Sequence, residues 1–82
     1  MASKVRLYTL STCPYCDKAK RYFAERGIPF EYTDYDLADE GTQASIQADM
    51  EGEGAGGFPF TRIGSDTVEG YEPGRYAALL GG

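Results

Sequence analysis

The sequence predicts an α/β fold in which one four-stranded mixed sheet is flanked by three helices. The predicted order along the 82 residues is strand, helix, strand, helix, strand, strand, helix. The first three elements form a βαβ unit, whose two strands pair in parallel through a right-handed crossover. The next two strands form a hairpin and are therefore antiparallel. A chain this short supplies one modest core, so residues 1–82 are expected to form a single domain.

The first half of the chain carries the βαβ unit. Val, Leu, Tyr and Thr fill Lys4–Leu10, which predicts a strand. Pro14 suits the first position of a helix, which should run to about Arg26 because Gly27 is a natural stop. Phe30–Tyr35 has the aromatic and β-branched residues of a second strand. The helical spacing puts Cys16, Ala19 and Phe23 on one face, with Asp17, Lys18, Lys20, Arg21 and Glu25 pointing mostly outward.

The second half is predicted to hold a short helix, a hairpin and a final helix. Ile46 and Met50 are four residues apart and would share one face of the short helix. Tyr76 and Leu80 have the same spacing in the last helix. In order, we expect an acidic turn at Asp36–Gly41, a helix at Thr42–Met50, a glycine-rich loop at Glu51–Gly57, strands at Phe58–Ile63 and Thr67–Glu69 around the turn Gly64-Ser65-Asp66, and a helix from Pro73 to Gly81-Gly82.

The net charge of −5 is unevenly distributed. Residues 1–26 hold six Lys or Arg and two acids, whereas residues 27–82 hold eleven acids and two Arg. Most of the surface would therefore repel phosphate, which argues against nucleic acid as a partner. The basic first segment has two interpretations: a solvated helix face, or a cationic rim near the cysteines that favours a thiolate and anionic thiols.

Nothing in the sequence resembles a secretion signal or a membrane span. The first residues lack the apolar stretch of a signal peptide, and the longest apolar run, Tyr76–Leu80, is far too short to cross a bilayer. We therefore expect a soluble, cytoplasmic protein that is a monomer and has no membrane partner. In a reducing compartment two cysteines are more often reactive than structural.

The only two cysteines, Cys13 and Cys16, flank Pro14 and Tyr15 where the first strand gives way to the first helix. A C-x-x-C at this junction is typical of a thiol–disulfide redox centre. Cys13 would lie at the helix N-terminus, where unpaired N–H groups and the helix dipole stabilise a thiolate. The thiolate is the species that attacks a disulfide. Cys16, one turn further on, fits the resolving thiol.

Two other interpretations of the cysteine pair are weaker. A zinc site needs four ligands, and the chain has no histidine and no third cysteine, so we expect no metal. A structural disulfide across so short a loop would gain little entropy. Tyr15 is expected at the exposed tip of the loop, either as an incidental surface residue or as a contact for the incoming thiol. Without the family resemblance described next, Pro59 would be an ordinary proline at the start of a strand, and the bond before it would be trans because cis bonds before proline are rare.

The start of the chain resembles a dithiol glutaredoxin, in Val5-Arg6-Leu7-Tyr8-Thr9, Thr12-Cys13-Pro14-Tyr15-Cys16 and Ala19-Lys20. The resemblance implies a thioredoxin-like fold and a cis bond before Pro59. It implies that Cys13 and Cys16 are catalytic, that no cofactor is tightly bound, and that glutathione is the reducing co-substrate for disulfide-containing or glutathionylated proteins. The implied glutathione site comprises Cys13, Tyr15, Phe58, Pro59, Gly70, Tyr71 and Glu72.

Three positions depart from that pattern. Leu10 stands where many glutaredoxins carry a cation, Glu69-Gly70 replaces a Gly-Gly pair, and Glu72 is followed by Pro73. The segment 69–73 also resembles the corresponding segment of a group of glutaredoxin-like redoxins. These redoxins take electrons from thioredoxin reductase and supply them to ribonucleotide reductase, and this is the alternative function. Two further hypotheses are an iron–sulfur cluster carrier, which usually has one cysteine in this motif, and a binding module without catalysis, which needs no reactive pair.

Overall fold

The computed structural model describes residues 4–80. In that part of the chain a four-stranded mixed sheet is flanked by three helices, so the predicted fold class is confirmed. The elements are β1 (Val5–Thr9), α1 (Pro14–Glu25), β2 (Glu31–Asp34), a 3₁₀ turn (Tyr35–Leu37), α2 (Glu40–Gly52), β3 (Phe60–Ile63), β4 (Asp66–Glu69) and α3 (Pro73–Leu79).

The strands lie in the order β2-β1-β3-β4. β1 is parallel to β2 and antiparallel to β3, and β3 is antiparallel to β4, as the βαβ unit and the hairpin predict. Thr9 pairs with Asp34, and Tyr8 pairs with Phe60. The ends of β1 and β2 and the start of β3 therefore meet at one edge of the sheet, called the upper edge below. The loop to α1 leaves from this edge.

Side-chain alternation along β1 divides the interior into two layers. Leu7 points into the larger core with α1 and α3, whereas Tyr8 points to the opposite face, which α2 covers. Helices α1 and α3 therefore lie on one face of the sheet and α2 on the other. The larger core is formed by Val5, Leu7, Ala19, Tyr22, Phe23, Ile63, Val68 and Tyr76, and the smaller one by Ile46, Met50 and Phe60.

Helix α2 is longer than the sequence predicted at both ends. The Asp39 carboxylate accepts a hydrogen bond from the Thr42 amide at 2.7 Å and caps the N-terminus. The helix then continues through Gly52, because burial of Met50 outweighs the poor helix propensity of glycine. The glycine-rich loop therefore begins later than expected. The predicted end of the last helix at Gly81-Gly82 lies outside the described residues.

The β3–β4 turn is shorter than predicted. Ile63 pairs with Asp66, so only Gly64 and Ser65 form the loop. Gly64 has φ of +61°, a conformation that glycine adopts without steric cost. Phe58 precedes β3 and does not belong to it. None of the helices within residues 4–80 combines the length and apolarity needed to cross a membrane.

Candidate active site

Cys13 lies at the junction of the turn after β1 and helix α1. Its amide donates to the Leu10 carbonyl at 3.3 Å, which closes the turn, and its carbonyl accepts the first helical bond, from Asp17, at 3.1 Å. Its backbone is extended, with φ of −93° and ψ of 118°, and Pro14 occupies the first helical position, as predicted. Cys13 is thus the N-terminal flanking residue of α1, with its side chain only partly covered.

The surroundings of Cys13 favour its thiolate. Burial raises the pKa of the Cys13 thiol, but hydrogen bonds from the Cys16 amide, the Cys16 thiol and the Tyr15 amide outweigh that effect. The pKa of Cys13 is therefore lowered from its ordinary value. These donors belong to the first turn of α1, where backbone N–H groups have no helical partner. The helix thus supplies the stabilisation that the sequence position predicted.

Cys16 is buried, and its thiol has the opposite tendency. Burial raises the pKa of Cys16 to about 12, although the Leu10 amide, which donates to its sulfur at 3.3 Å, opposes the shift. The neighbouring Cys13 adds to the increase, because two thiolates side by side repel each other. Both cysteines are free thiols in this structure. The pair therefore consists of one ionisable, accessible sulfur and one protonated, buried sulfur.

The segment before β3 forms a second wall of the site. Phe60 is the partner of Tyr8 in the sheet, so the preceding Pro59 lies beside the end of β1, where the Cys13 loop begins. The Phe58–Pro59 peptide bond is cis, as the family resemblance implies, and the trans expectation that rested on the rarity of cis bonds is wrong. The Pro59 carbonyl accepts a hydrogen bond from the Gly70 amide at 2.7 Å. Cys13, Phe58, Pro59 and Gly70 are thus brought to the same edge.

The segment after β4 carries three residues of the implied glutathione site, beginning with Gly70. Gly70 has φ of +90°, and its carbonyl accepts a hydrogen bond from the buried Tyr76 hydroxyl at 2.9 Å. Glu72 precedes the first turn of α3, and no side chain caps that helix. The Tyr71 ring is 6.1 Å from the Tyr76 ring and packs on the side of α1. Tyr15 is 59% exposed at the tip of the cysteine loop, as predicted.

Two polar contacts that the sequence did not predict lie at the ends of β1 and β2, next to the cysteine loop. The Thr9 hydroxyl donates to Asp34 at 2.5 Å, and the Lys20 ammonium lies 2.9 Å from the same carboxylate oxygen. Lys20 was expected to point outward, but its side chain is only 20% exposed. Its charge favours the thiolate form of Cys16 and so opposes the effect of burial. The spacing of Lys20 four residues after Cys16 was the available signal.

Asp36 fixes the turn that leads to Cys13. Its carboxylate accepts hydrogen bonds from the Ser11 hydroxyl at 2.5 Å and from the Ser11 amide at 2.9 Å. These bonds lower the pKa of Asp36, so the contact persists well below neutral pH. The loop between β1 and α1 is therefore anchored to the end of β2 by a side chain that the sequence had placed in a simple acidic turn.

A cavity of about 320 Å³, called the Phe58 cavity, opens under the end of α2. The only charged side chain that lines it is Glu51. The nearby Glu69 carboxylate accepts a hydrogen bond from the Gly56 amide at 3.1 Å and so holds the loop before Phe58 against β4. The lining residues are Tyr35, Gln47, Met50, Glu51, Ala55, Gly56 and Phe58.

Within residues 4–80, no group of three or more cysteine or acidic side chains is placed to hold a metal ion. The reactive groups that the structure brings to the upper edge are the two sulfurs, with the backbone N–H groups around them. A thiolate beside a buried thiol can attack a disulfide and then release the product by forming an internal disulfide.

Comparison with known proteins agrees with this geometry. Residues 5–68 match the sequence model of the glutaredoxin family. No curated protein sequence matches the chain significantly. Among solved structures, a glutaredoxin from Archaeoglobus fulgidus is 28% identical with a TM-score of 0.83, over 98% of this chain and 88% of that one. Methanoredoxin from Methanosarcina acetivorans is 25% identical with a TM-score of 0.85, over 99% and 87%.

NrdH-redoxin from Escherichia coli, described as a glutaredoxin-like protein with a thioredoxin-like activity profile, superposes with a TM-score of 0.78 at 22% identity, over 93% of each chain. At that identity the likeness concerns the fold alone, which is thioredoxin-like as the resemblance implied. The family match extends over well more than half of the sequence and includes both cysteines and Pro59. The chain belongs to the glutaredoxin family.

Proposed function

We propose that the protein is a thiol–disulfide oxidoreductase that reduces protein disulfides and glutathione mixed disulfides through the Cys13/Cys16 dithiol. The observation that carries this proposal is the opposite protonation tendency of the two sulfurs, one accessible with a lowered pKa and one buried with a raised pKa. Cys13 is suited to attack a disulfide. Cys16 is suited to remain protonated until a mixed disulfide has formed.

The proposed reaction has two exchange steps. The Cys13 thiolate attacks one sulfur of the substrate disulfide, which forms a mixed disulfide and releases the other substrate sulfur as a thiolate. Cys16 then loses its proton and attacks the Cys13 sulfur, which releases the second substrate thiolate. The substrate has gained two electrons, and the protein holds a Cys13–Cys16 disulfide. With a glutathione mixed disulfide, a second glutathione can replace Cys16 in the second step.

Glutathione is the first candidate for the reductant that restores the dithiol. Two glutathione molecules would supply the two electrons and leave as glutathione disulfide. The support is the family membership together with the grouping of Phe58, Pro59 and Gly70 beside Cys13, the positions at which the resemblance implies glutathione contacts. Tyr15, Tyr71 and Glu72 complete the implied site.

A second candidate is a protein reductase of the thioredoxin reductase type, with ribonucleotide reductase as an electron acceptor. Two observations favour it: Glu51 is the only charged side chain that lines the Phe58 cavity, and Leu10 supplies no cation before Cys13. An anionic tripeptide would therefore meet a carboxylate on this side of the site. A protein reductase needs no cation there, because it is recognised over a larger surface.

A coupled assay tests the proposal and separates the two reductants. NADPH consumption is followed with a mixed disulfide of glutathione, once with glutathione plus glutathione reductase and once with thioredoxin reductase alone. Activity that appears only with glutathione supports the first candidate, and activity with the reductase alone supports the second. If neither system consumes NADPH and insulin disulfides are not reduced, the proposed function is wrong.

Variants of the two cysteines assign their roles. Cys13→Ser should abolish all activity, because no accessible sulfur remains to attack. Cys16→Ser should keep the reduction of glutathione mixed disulfides, since glutathione can complete the reaction, and should lose most activity on protein disulfides. The rates are measured in the same coupled assay. An active Cys13→Ser variant would show that the nucleophile is misassigned.

A further inference from the structure

A groove along α1 has a charge opposite to that of the chain as a whole. It lies beside the start of α3, has a volume of about 420 Å³ and is called the α1–α3 groove. Three cations face one carboxylate in it, although the chain carries thirteen acids and eight Lys or Arg. The lining residues are Lys18, Arg21, Tyr22, Glu25, Arg26, Tyr71 and Pro73.

The cations of this groove are not used in ion pairs within the described part of the chain. There the ion pairs join Arg6 to Glu31, Lys20 to Asp34, and Arg62 to Asp49 and Glu53. Lys18, Arg21 and Arg26 belong to none of them. Their positive charge is therefore available to a ligand, in a molecule whose charged side chains outside the groove are twelve acids and five Lys or Arg.

Two of the cations are held in place by aromatic rings. The Arg26 guanidinium lies 3.8 Å from the centre of the buried Tyr22 ring. At the other end, the Lys18 ammonium lies 5.1 Å from the centre of the Tyr15 ring. Cation–π contacts of this kind restrict the charged groups without neutralising them. Because Tyr15 separates the two cysteines, one end of the groove lies next to the site of disulfide attack.

The length of the groove decides what kind of anion fits it. From Lys18 to Arg26 the helix rises by about 12 Å, at roughly 1.5 Å per residue. Lys18 and Arg21 are about one helical turn apart and can hold a single carboxylate or phosphate between them, but that anion does not reach Arg26 as well. An extended polypeptide advances about 3.3 Å per residue, so about four residues cover the distance. An acidic polypeptide segment therefore matches the spacing of the charges better than a small anion does.

We propose that the α1–α3 groove binds an acidic segment of the protein partner whose disulfide is presented to Cys13. The inference rests on the proposed function, since it identifies the class of protein that the dithiol serves. Lys18, Arg21 and Arg26 attract the acidic segment, and the contact begins beside Tyr15, so docking brings the partner disulfide to the upper edge. Attraction of this kind acts mainly on the rate of association and weakens with salt.

Three synthetic disulfide peptides of the same length test the proposal, with four glutamates, four serines or four lysines next to the disulfide. Their reduction is measured at low and at physiological salt for the wild type and for the double variant Arg21→Gln/Arg26→Gln. We expect the wild type to prefer the glutamate peptide, and the double variant to lose about fivefold in kcat/KM for it at low salt. The rate with the serine peptide should not change.

The matched control is Lys4→Gln/Arg75→Gln, which removes the same charge at exposed positions that do not line the groove. It should leave the preference for the glutamate peptide intact. If both double variants lower the rate with that peptide equally, only net charge matters and the groove proposal is overturned. It is also overturned if the wild type reduces the three peptides at equal rates at low salt.

A binding measurement separates this proposal from the proposed function. A fluorescent glutamate peptide with serine in place of cysteine reports docking by anisotropy without any disulfide chemistry. Binding to the wild type that is lost in Arg21→Gln/Arg26→Gln supports the groove even if no peptide is reduced, in which case the oxidoreductase proposal alone fails. Equal affinity for the wild type and the double variant overturns the groove.

Discussion

Single side chains around the two cysteines control which sulfur carries the negative charge. Cys13 gains hydrogen bonds from the amides of Tyr15 and Cys16, which belong to the first helical turn. Cys16 is enclosed by the core and has a single backbone donor, from Leu10. A difference of one pKa unit corresponds to about 1.4 kcal/mol between the protonation states. The difference between the pKa values of the two sulfurs therefore follows from their distances to the helix terminus and from the burial of Cys16.

The Cys16 thiol itself stabilises the Cys13 thiolate, so removing it should raise the pKa of Cys13. We expect the alkylation rate of the wild type by iodoacetamide to rise with pH, with a midpoint at lower pH than that of an ordinary thiol. In Cys16→Ala this rise should move to higher pH. In Cys16→Ser it should move less, because a hydroxyl still donates. An unchanged profile in Cys16→Ala would mean that the backbone amides alone lower the pKa of Cys13.

Glu51 should weaken the use of glutathione, because its carboxylate is the only charge in the Phe58 cavity. We expect Glu51→Lys to raise kcat/KM for glutathione severalfold, mainly through a lower KM, since a charge contact at an exposed site such as Glu51 contributes up to about 1 kcal/mol. Asp66→Lys, at the opposite end of the sheet, is the charge-matched control. Equal increases in the two variants would show that the effect comes from overall charge.

Helix α3 supports the upper edge of the sheet through the buried hydroxyl of Tyr76. The Tyr76 ring is fully buried in the larger core, and its hydroxyl donates to the Gly70 carbonyl while Thr61 lies 3.4 Å away. Gly70 in turn donates to the carbonyl of Pro59. Two hydrogen bonds therefore connect α3 to the wall beside Cys13: one from Tyr76 to Gly70, and one from Gly70 to Pro59.

Removal of that hydroxyl should destabilise the fold and the wall together. We expect Tyr76→Phe to lower the free energy of unfolding by about 1–2 kcal/mol, because the Gly70 carbonyl loses its buried donor. The melting temperature should fall by about 5–10 °C. Tyr32→Phe, at a ring that is 52% exposed, is the control and should melt like the wild type. Thermal unfolding followed by circular dichroism measures both; equal melting of the two variants would contradict the role given to Tyr76.

The order and type of the helices and strands were predictable because their ends carry local signals. Pro14 and Pro73 begin helices, and Gly27 follows the end of α1. The extent of α2 was not predictable from such signals, since Gly41 and Gly52 would normally weaken a helix. Its length depends on the Asp39 cap and on burial of Met50 against Phe60, and that contact exists only once the sheet has formed.

The cysteine pair was predictable for the same reason, because its four residues are contiguous. The polar support of the pair was not. Thr9 and Lys20 meet at Asp34, and Ser11 meets Asp36, across separations of 14 to 25 residues. These contacts depend on the parallel register of β1 and β2, which no local pattern specifies. The Phe58 cavity was not predicted either. Part of its wall is the loop between α2 and β3, and no sequence pattern specifies the conformation of that loop.

The single chain has the dimensions of a compact folded domain. Its radius of gyration is 12.0 Å, and about 12 Å is expected for a folded chain of this length. Among the described residues, the exposed large apolar side chains are Tyr15, Tyr32 and Leu37, which lie on three different elements. No extended apolar surface that would require a second copy is evident among residues 4–80.

We predict that the reduced protein is a monomer at micromolar concentration. Small-angle scattering should give a radius of gyration close to that of the single chain, after allowance for the hydration shell. A compact dimer of twice the length would give about 15 Å. The measurement is repeated after oxidation, because an intermolecular disulfide through Cys13 would raise the value. A concentration-dependent increase in the reduced state would contradict the prediction.

The hydrogen bond from the Gly70 amide to Pro59, at 2.7 Å, joins two residues that lie outside any strand. Loop amides normally exchange their protons with solvent quickly, but this one is tied between the core and the wall of the site. In deuterated water its NMR signal should persist about as long as those of the flanking β-strands. That single resonance would then act as a reporter of the wall, disappearing early whenever a variant or a bound partner loosens it.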